Sequence, residues 1–298
     1  MSLAFLGLGA IGTPMARHLA SSGTPLAVWN RTAAKATAFA AATGTRAAAT
    51  PADAARGADI VITCLPSSRE VEALLDGPDG LLAGLAPGAV LVDCTSGDPA
   101  TSQRIAARLN AAGIAFLDAP VSGGVVGAEA GTLTVMIGGD ATVLERVRPV
   151  LAHFGAKIVP CGPVGAGHAV KAVNNALLAM HLWGTAEGLA ALTKAGVRAE
   201  VALDVINASS GRSNASMNLF PDRVLTRAFP RTFRLALLDK DVGIAAQVAR
   251  DAKVPSPLLQ LTAELYTLAH RELGEEADHV EAVQVVERQA GTVIGGTP

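Results

Sequence analysis

The sequence is poor in aromatic residues, in cysteine and in net charge, and each shortage narrows the classes of protein that it can encode. Aromatic residues make up 3% of the 298 residues and hydrophobic residues 50%, so small aliphatic side chains must carry the packing of a large core. The net charge is −2 and no basic stripe is present, which argues against a nucleic-acid partner. A chain of this length is typical of two domains.

Cysteine is the scarcest of the reactive residues. The three cysteines, Cys64, Cys94 and Cys161, are isolated along the chain, and their spacing matches no metal site. We therefore expect no bound metal. The same pattern predicts buried, reduced thiols in a cytoplasmic protein.

Long hydrophobic runs are also missing. The longest, between Lys171 and Glu187, contains Asn174, Asn175 and His181 and is too short and too polar to span a bilayer. The apolar run at the N-terminus has no basic segment before it, so it does not resemble a signal peptide. We expect no membrane partner.

The first half of the chain alternates short apolar runs with helical segments. Seven runs are candidate strands: Leu3–Leu6, Leu26–Trp29, Ile60–Cys64, Val90–Asp93, Ile114–Leu117, Thr134–Ile137 and Lys157–Val159. Helical segments between most of them predict an α/β fold with a doubly wound, mostly parallel sheet over residues 1–163.

Strand signals stop after Gly165. Residues 166–195 are predicted to form one long helix that Gly196 ends, and four further helices follow: Ala199–Ser209, Arg234–Asp251, Pro257–Glu272 and Ala277–Ala290. We therefore expect a second, all-helical domain over residues 164–298, with a frayed end at residues 295–298.

A glycine fingerprint ends the first strand and is the most informative segment. Gly7-Leu8-Gly9-Ala10-Ile11-Gly12 follows Leu3–Leu6 at once and precedes a predicted helix from Thr13 to Ser22. In this setting the first glycine permits a tight turn, the second lets the backbone approach a pyrophosphate, and the third allows close helix–strand packing. The segment predicts a dinucleotide site; the alternative is a structural glycine-rich turn.

The end of the second strand indicates which dinucleotide binds. Sites that prefer NAD usually have an acidic residue there, which accepts from the ribose 2′-hydroxyl. This chain has Asn30-Arg31-Thr32 instead, and an arginine binds a 2′-phosphate through charge-assisted hydrogen bonds. We predict NADP(H) over NAD(H); the alternative is that Arg31 is a solvated residue at the start of a helix.

Two further strand ends carry candidate cofactor contacts, because ligands of such sheets lie beyond the carboxyl ends of the strands. Leu65 and Pro66 follow one strand, and Ser96 follows the next. The alternative is a simple strand-to-helix turn that Ser67 or Ser68 caps.

Ser122-Gly123-Gly124 predicts a site for a small carboxylate. The two glycines leave backbone N–H groups uncovered by side chains, and such a nest suits an anion. The alternative is a glycine-rich turn without a ligand.

The long helix carries an unusual polar group near its start. Lys171 and Asn175 are four residues apart and share one helical face, with Asn174 beside them. If Lys171 faces a cleft, it could give a proton to a carbonyl oxygen as hydride arrives, and take it back in the reverse direction. Asn175 would position the substrate or the lysine, with Asn174 also at the substrate. The alternative is a solvated lysine.

His168 and Lys240 are the other two polar residues of the helical part for which we predict a role. His168 lies one turn before Lys171 and is expected to be structural rather than catalytic. Lys240, in the pair Lys240-Asp241, could reach the cofactor, although such a pair alone would be a surface charge pair of little value.

Together these segments resemble the β-hydroxyacid dehydrogenase family over nearly the whole chain. The matching segments, in order, are the fingerprint, Asp118–Gly124, Gly131–Thr134, Gly165-Ala166-Gly167, Lys171 with Asn174-Asn175, Ser209–Ser213 and Lys240-Asp241. The resemblance implies a Rossmann-type domain, then a helical domain whose long first helix bridges the two. It implies Lys171 as catalytic acid/base, Ser122, Gly123, Gly124 and Asn175 at the substrate, Ser96 and Lys240 near the cofactor, and homodimers or homotetramers.

The resemblance implies reversible hydride transfer between NADP(H) and a short 3-hydroxy acid, with 3-hydroxyisobutyrate and methylmalonate semialdehyde as the first choice. Asn30-Arg31 is similar to the pattern in NADPH-using reductases of tartronate or succinic semialdehyde, which are the second choice. A 6-phosphogluconate-type oxidative decarboxylase is less favoured, because no basic cluster suits a phosphorylated sugar acid. A non-catalytic NADP-binding module is a further alternative.

Replacing Arg31 with Asp tests the cofactor prediction. An acid at this position would repel a 2′-phosphate, so the ratio of NADPH to NADH efficiency should fall by at least about tenfold. Steady-state kinetics with each cofactor measures this ratio, and an unchanged ratio would contradict the prediction.

Overall fold

The computed structural model describes residues 1–295 and divides into two compact units. The first comprises residues 1–171 and the second begins at residue 172. Of the segment predicted to fray, residues 296–298 lie outside the described residues.

The first unit is built on one sheet. Within the described residues it has nine strands: β1 (Leu3–Leu6), β2 (Leu26–Trp29), β3 (Arg46–Ala47), β4 (Ile60–Thr63), β5 (Val90–Asp93), β6 (Ala115–Asp118), β7 (Val121–Ser122), β8 (Leu133–Gly138) and β9 (Gly155–Gly162). Their order is β3-β2-β1-β4-β5-β6-β8-β7, and β9 pairs with β8. Pairing is parallel from β3 to β6 and between β8 and β9, whereas β8 runs antiparallel to β6 and β7.

Helices cover both faces of this sheet. They are α1 (Gly12–Ala20), α2 (Ala33–Thr43), α3 (Pro51–Ala55), α4 (Ser68–Ala73), α5 (Leu81–Gly84), α6 (Pro99–Ala111), α7 (Gly124–Ala130) and α8 (Ala141–Leu151). Phe5 packs into one core with Met15 of α1, while its neighbour Leu6 packs into another with Ile105 of α6. Strands buried on both faces read as continuous apolar runs, and the predicted doubly wound, mostly parallel α/β fold is confirmed.

Two of the strands were not predicted from the sequence. Both β3 and β7 are two residues long, which is too short to show a period. The residues of β3 are also exposed, so no apolar run marks them.

The second unit is helical. Its elements are α9 (Ala166–Lys194), which begins in the first unit, then α10 (Ala199–Asn207), a π-helix (Ala215–Val224), α11 (Leu235–Asp251), α12 (Pro257–Leu273), a 3₁₀ turn (His279–Ala282) and α13 (Val283–Ala290). The boundary between the two units along the chain falls within α9, after Lys171. The only β pairing here among residues up to 295 is an isolated bridge between Arg234 and Asp278, so the predicted all-helical second part, entered by one long helix, is confirmed.

Two details of the second unit differ from the prediction. The π-helix was missed because Pro221 interrupts the helical pattern of that segment. The single helix expected over Ala277–Ala290 is instead a 3₁₀ turn followed by α13. Asp278 caps the N-terminus of the 3₁₀ turn, so the helical segment begins after this residue. Across residues 1–295 no helix combines the length and the apolar character that a membrane span requires.

Asp278 holds the start of that turn to the loop before α11. Its Oδ2 accepts from the N–H of Thr232 at 2.7 Å and of Phe233 at 2.8 Å, and its Oδ1 accepts from the N–H of Val280 at 3.1 Å. Nδ1 of His279 lies 3.0 Å from Oδ1. Burial alone would raise the pKa of Asp278, but the contacts with His279 and the two loop N–H groups outweigh it and hold the pKa well below its usual range.

Asp278→Asn should destabilise the protein by about 3 kcal/mol, because the amide cannot accept from all of these donors and leaves buried groups unpaired. A depressed folded-state pKa contributes stability above the unfolded pKa of about 4, and this contribution is lost as pH falls below it. The variant should therefore lose less stability than the wild type on acidification. Urea unfolding at several pH values measures both effects, with Asp222→Asn, an exposed acid, as control; equal stability of Asp278→Asn and wild type at neutral pH would contradict the account.

Candidate active site

The three fingerprint glycines have different surroundings at the turn between β1 and α1. A Cβ on Gly7 would overlap the carbonyl oxygen of Cys64, and a Cβ on Gly12 would overlap the carbonyl oxygen of Gly7. A Cβ on Gly9 would meet nothing within 4 Å. The outer glycines therefore permit close packing, while Gly9 borders open space. No side chain caps the start of α1, and a pyrophosphate needs both the open space and the uncapped helix end.

Asn30 ties this turn to the end of β2. Its Oδ1 accepts from the N–H of Leu8 at 3.0 Å, and its Nδ2 donates to the carbonyl of Thr32 at 3.2 Å. Asn30 is half-buried, whereas Arg31 and Thr32 are exposed. Asn30 thus shapes the loop, and the Arg31 side chain is accessible to a ligand.

A groove of about 900 Å³ runs from Gly9 and Ala10 along α1 and α2. Lys35 lines it, at the third position of α2 and four residues after Arg31. Lys35 was not among the predicted site residues. Its spacing of one helical turn from Arg31 is the sequence feature that would have indicated it. Lys35 adds positive charge to the groove that begins at the fingerprint turn.

The loops after β4 and β5 are joined by buried polar contacts. Asp93 is fully buried, and its Oδ1 accepts from the Thr63 hydroxyl at 2.8 Å and the Thr95 N–H at 3.1 Å. The Thr95 hydroxyl in turn accepts from the N–H of Leu65 at 3.1 Å. These bonds hold the backbone that presents the half-buried Ser96. They fix the two loops where cofactor contacts were predicted.

The alternative reading of the first loop also holds in part. Ser67 caps α4 by accepting from the N–H of Arg69 at 3.2 Å. Leu65 is half-buried and Pro66 exposed before that cap, so capping by Ser67 leaves both residues available to a ligand.

Burial disfavours the thiolate form of the two cysteines beside these loops. Burial raises the pKa of Cys64 to about 12, with a further contribution from Asp93, and raises that of Cys94 well above its usual value. Cys94 is buried, Cys64 and Cys161 are half-buried, and all three are free. The described residues also contain no group of three or more His, Cys, Asp or Glu side chains that could hold a metal ion.

The Ser122 loop is exposed and bent by two successive glycines. Gly123 has φ +135° and Gly124 φ +64°, which is a backbone path that favours glycine. Ser122 ends β7 and Gly124 begins α7, whose start no side chain caps. The loop therefore presents uncovered backbone N–H groups beside a serine hydroxyl, as an anion nest requires.

Asp118 fixes the start of α9. This fully buried residue accepts through Oδ1 from the N–H of Gly165 at 2.7 Å and through Oδ2 from the N–H of His168 at 2.9 Å. A Cβ on Gly167 would overlap the carbonyl oxygen of Met136, so the helix start lies directly against the sheet. Lys171, half-buried, follows one turn later.

In the second unit, Asp241 brings the predicted residues Asn174, Asn175 and Lys240 into one network. Oδ2 of the buried Asp241 accepts from Nδ2 of Asn175 at 2.6 Å, and Oδ1 lies 2.9 Å from Nζ of Lys240. Nδ2 of Asn174 donates to Oδ1 of Asn175 at 3.1 Å. The pair Lys240–Asp241 is therefore not a surface pair, since Asp241 is 2% exposed. No role was predicted for Asp241, because the sequence of two adjacent charged residues does not show whether either is buried.

Comparison with known proteins covers the same two parts of the chain. Residues 2–162 match the model of the NAD binding domain of 6-phosphogluconate dehydrogenase, and residues 165–286 match the model of the NAD-binding part of NADP-dependent 3-hydroxyisobutyrate dehydrogenase. An NAD-dependent L-serine dehydrogenase of Pseudomonas aeruginosa is 39% identical over 93% of this chain and 94% of its own. The chain belongs to the β-hydroxyacid dehydrogenase family.

Two further relatives of this β-hydroxyacid dehydrogenase indicate the range of substrates. A 2-(hydroxymethyl)glutarate dehydrogenase of Eubacterium barkeri is 35% identical over 99% of this chain and 98% of its own. The structure of Mycobacterium tuberculosis 3-hydroxyisobutyrate dehydrogenase with L-serine has a TM-score of 0.87 and 32% identity, covering 96% of this chain and 98% of that one. The chain is thus an NAD(P)-dependent oxidoreductase of hydroxy acids, and relatives of similar identity act on different acids.

Gly9→Val should abolish most dinucleotide binding without destabilising this β-hydroxyacid dehydrogenase, because the new side chain enters open space that the pyrophosphate needs. We expect the Kd for NADPH to rise at least about tenfold while Tm stays within a few degrees. Fluorescence titration and thermal unfolding measure the two quantities.

Gly12→Ala is the matched control in the same turn. Its Cβ would overlap the Gly7 carbonyl, so Tm should fall. If Gly9→Val lowered Tm as much as Gly12→Ala does, or left NADPH binding intact, the assignment of the turn would be wrong.

Proposed function

We propose that the chain catalyses reversible hydride transfer between NADP(H) and a short 3-hydroxy acid, with 3-hydroxyisobutyrate and methylmalonate semialdehyde as the first pair. The observation that carries this proposal is Lys171 on a helix that the buried Asp118 ties to the sheet. The match of residues 165–286 to the 3-hydroxyisobutyrate dehydrogenase model supports the substrate class.

The roles of the residues follow from their chemistry. When bound, NADP(H) supplies or accepts the hydride. The fingerprint turn binds the pyrophosphate, and the backbone N–H groups and hydroxyl of the Ser122 loop bind the substrate carboxylate. In oxidation, neutral Lys171 takes the hydroxyl proton at Nζ as the carbon loses its hydride. In reduction, its ammonium returns that proton to the carbonyl oxygen.

The Asp241 network supports the same reaction from the second unit. Nδ2 of Asn175 is committed to Asp241 and its Oδ1 accepts from Asn174, so Asn175 has a fixed orientation. Asn174 is exposed and so is available to bind the substrate. Lys240, held by Asp241, contributes positive charge toward the cofactor.

NADP(H) is favoured over NAD(H) by charge. Arg31 is exposed, Lys35 lies in the groove that begins at Gly9, and Asn30 takes the place of an acid. The relative from Pseudomonas aeruginosa is described as NAD-dependent, whereas the family model for the second unit is described as NADP-dependent. Because the relatives differ in their cofactor, the proposal of NADP(H) is supported by the charge of this chain's own residues.

L-serine is the second candidate substrate. A relative at 39% identity is an L-serine dehydrogenase, and a similar structure is described with L-serine. In L-serine and in 3-hydroxyisobutyrate one carbon carries both the carboxylate and the primary alcohol group, and the two molecules differ in the third group on that carbon, an ammonium or a methyl. Tartronate and succinic semialdehydes with NADPH remain the further alternatives.

Self-association is proposed on the exposed apolar surface of the second unit. Val201 and Val205 of α10 are 49% and 62% exposed, and Leu258 and Leu261 of α12 are 68% and 51% exposed. The two residues of each helix are four and three positions apart and so share a face, and an apolar stripe of this kind supports a protein interface. We expect a homodimer or homotetramer, which light scattering of the purified protein measures.

Lys171→Ala tests the proposed reaction. Removing a general acid/base typically costs 10²–10⁴ in rate, so we expect kcat to fall about 10³-fold with little change in the Kd for NADPH. Absorbance of the nicotinamide is followed with both enantiomers of 3-hydroxyisobutyrate, L-serine, D-glycerate and 4-hydroxybutyrate, and with semialdehydes in reverse.

Lys157→Ala, an exposed lysine on β9, is the control and should keep wild-type turnover. Turnover retained by Lys171→Ala would contradict the assigned role. A wild type that binds NADPH tightly yet is silent on all of these compounds would favour the non-catalytic module.

A further inference from the structure

A buried imidazole lies on the same helix as Lys171, three residues before it. His168 has no exposed surface, and both ring nitrogens contact polar groups. Nδ1 lies 2.6 Å from the hydroxyl oxygen of Ser102, and Nε2 lies 2.8 Å from the carbonyl oxygen of Thr95. The residue is therefore held on its ring as well as through its backbone bond to Asp118.

The partners assign the tautomer. A carbonyl oxygen only accepts, so Nε2 must carry the hydrogen and donate to Thr95. Nδ1 lies against the Ser102 hydroxyl, whose oxygen is also 3.0 Å from the carbonyl oxygen of Asp98. Both ring nitrogens therefore have a polar partner.

Thr95 is the residue through which the imidazole reaches the candidate cofactor loops. Its hydroxyl accepts from the N–H of Leu65, and Ser96 follows it in the chain. Gly97 lies against the ring, because a Cβ there would be 2.8 Å from Cε1 of His168. One side chain on α9 thus contacts the β5–α6 loop directly and the β4–α4 loop through Thr95.

We propose that His168 is a positioning residue whose Nε2–H···O bond to Thr95 keeps Lys171 in register with the loops that carry Leu65 and Ser96. The proposal rests on the proposed function, in which Lys171 moves the proton and these loops contact the cofactor. A shift of about 1 Å in a reacting group costs roughly a hundredfold in rate. Loss of the bond should therefore reduce turnover more than substrate binding.

Two amide variants distinguish an effect of the hydrogen bond to Thr95 from an effect of side-chain packing in the core. In His168→Gln the amide nitrogen reaches the position of Nε2 and restores the donor to Thr95. In His168→Asn the shorter side chain reaches only the position of Nδ1, so it keeps a partner in Ser102 and loses Thr95. We expect kcat of the Gln variant within about threefold of wild type, and kcat of the Asn variant reduced by roughly 10–100-fold with KM for the hydroxy acid nearly unchanged.

Ser102→Ala is the control on the other nitrogen. It leaves the bond to Thr95 in place and should reduce kcat less than His168→Asn does. Equal turnover of the Gln and Asn variants, whether both retained or both lost, would overturn the proposal. A folded Asn variant with wild-type kcat and only a lower Tm would show a merely structural role and overturn it as well.

The Kd for NADPH tests the role of His168 independently of the proposed reaction, because a binding titration requires no turnover. If wild type is silent on every substrate, the proposed reaction fails, yet weaker NADPH binding by His168→Asn than by His168→Gln would still support positioning of the loops by His168. Equal affinities would overturn it. If His168→Asn does not fold, Gly97→Ala takes its place, because its Cβ would overlap the Ser68 hydroxyl and crowd the His168 ring, so that the β5–α6 loop must move. We expect kcat to fall with KM nearly unchanged, and wild-type kcat in that variant would overturn the proposal.

Discussion

The hydrogen bonds from the start of α9 to the buried carboxylate of Asp118 are the constraint on which the candidate site depends. An α-helix begins with N–H groups that have no partner inside the helix, and a buried carboxylate satisfies them while its charge favours the positive end of the helix. Asp118 is the last residue of β6, so the bonds fix the helix to the sheet itself. Lys171 follows one turn later, and its place relative to the strand ends is set by this attachment.

The order of the parallel strands brings the distant segments predicted to contact the cofactor to one edge of the sheet. The fingerprint follows β1, Asn30 follows β2, Leu65 follows β4 and Thr95 follows β5, and these strands are parallel neighbours in the order β2-β1-β4-β5. Their carboxyl ends therefore lie side by side, and polar groups such as the buried Asp93 and the half-buried Asn30 join neighbouring strand ends. Ligands of open parallel sheets bind at this edge. This explains why each segment predicted to contact the cofactor comes directly after a parallel strand.

Sequence reasoning recovered what periodicity and glycine chemistry encode. The central parallel strands β1, β4 and β5 are buried on both faces and form apolar runs in the sequence. The role of Gly12 could be predicted because a helix packed on a strand tolerates no side chain there. It missed β7, which is too short to show a period, and the π-helix around Pro221. Lys35 and Asp241 were missed for another reason, since their significance lies in a groove and in burial that only the folded chain reveals.

Two buried carboxylates hold the polar segment of α9, each within its own unit. Asp118 binds the helix start in the first unit, and Asp241 binds Asn175 in the second. The predicted ligand contacts Ser122 and Arg31 are partly or fully exposed, so we expect their replacement to change affinity while the fold tolerates it. Breaking a contact of a buried carboxylate leaves an uncompensated charge and costs several kcal/mol. Variation of substrate among relatives is therefore expected at the exposed loops, while Asp118 holds the start of the helix that carries Lys171 and Asp241 holds the Asn175 side chain.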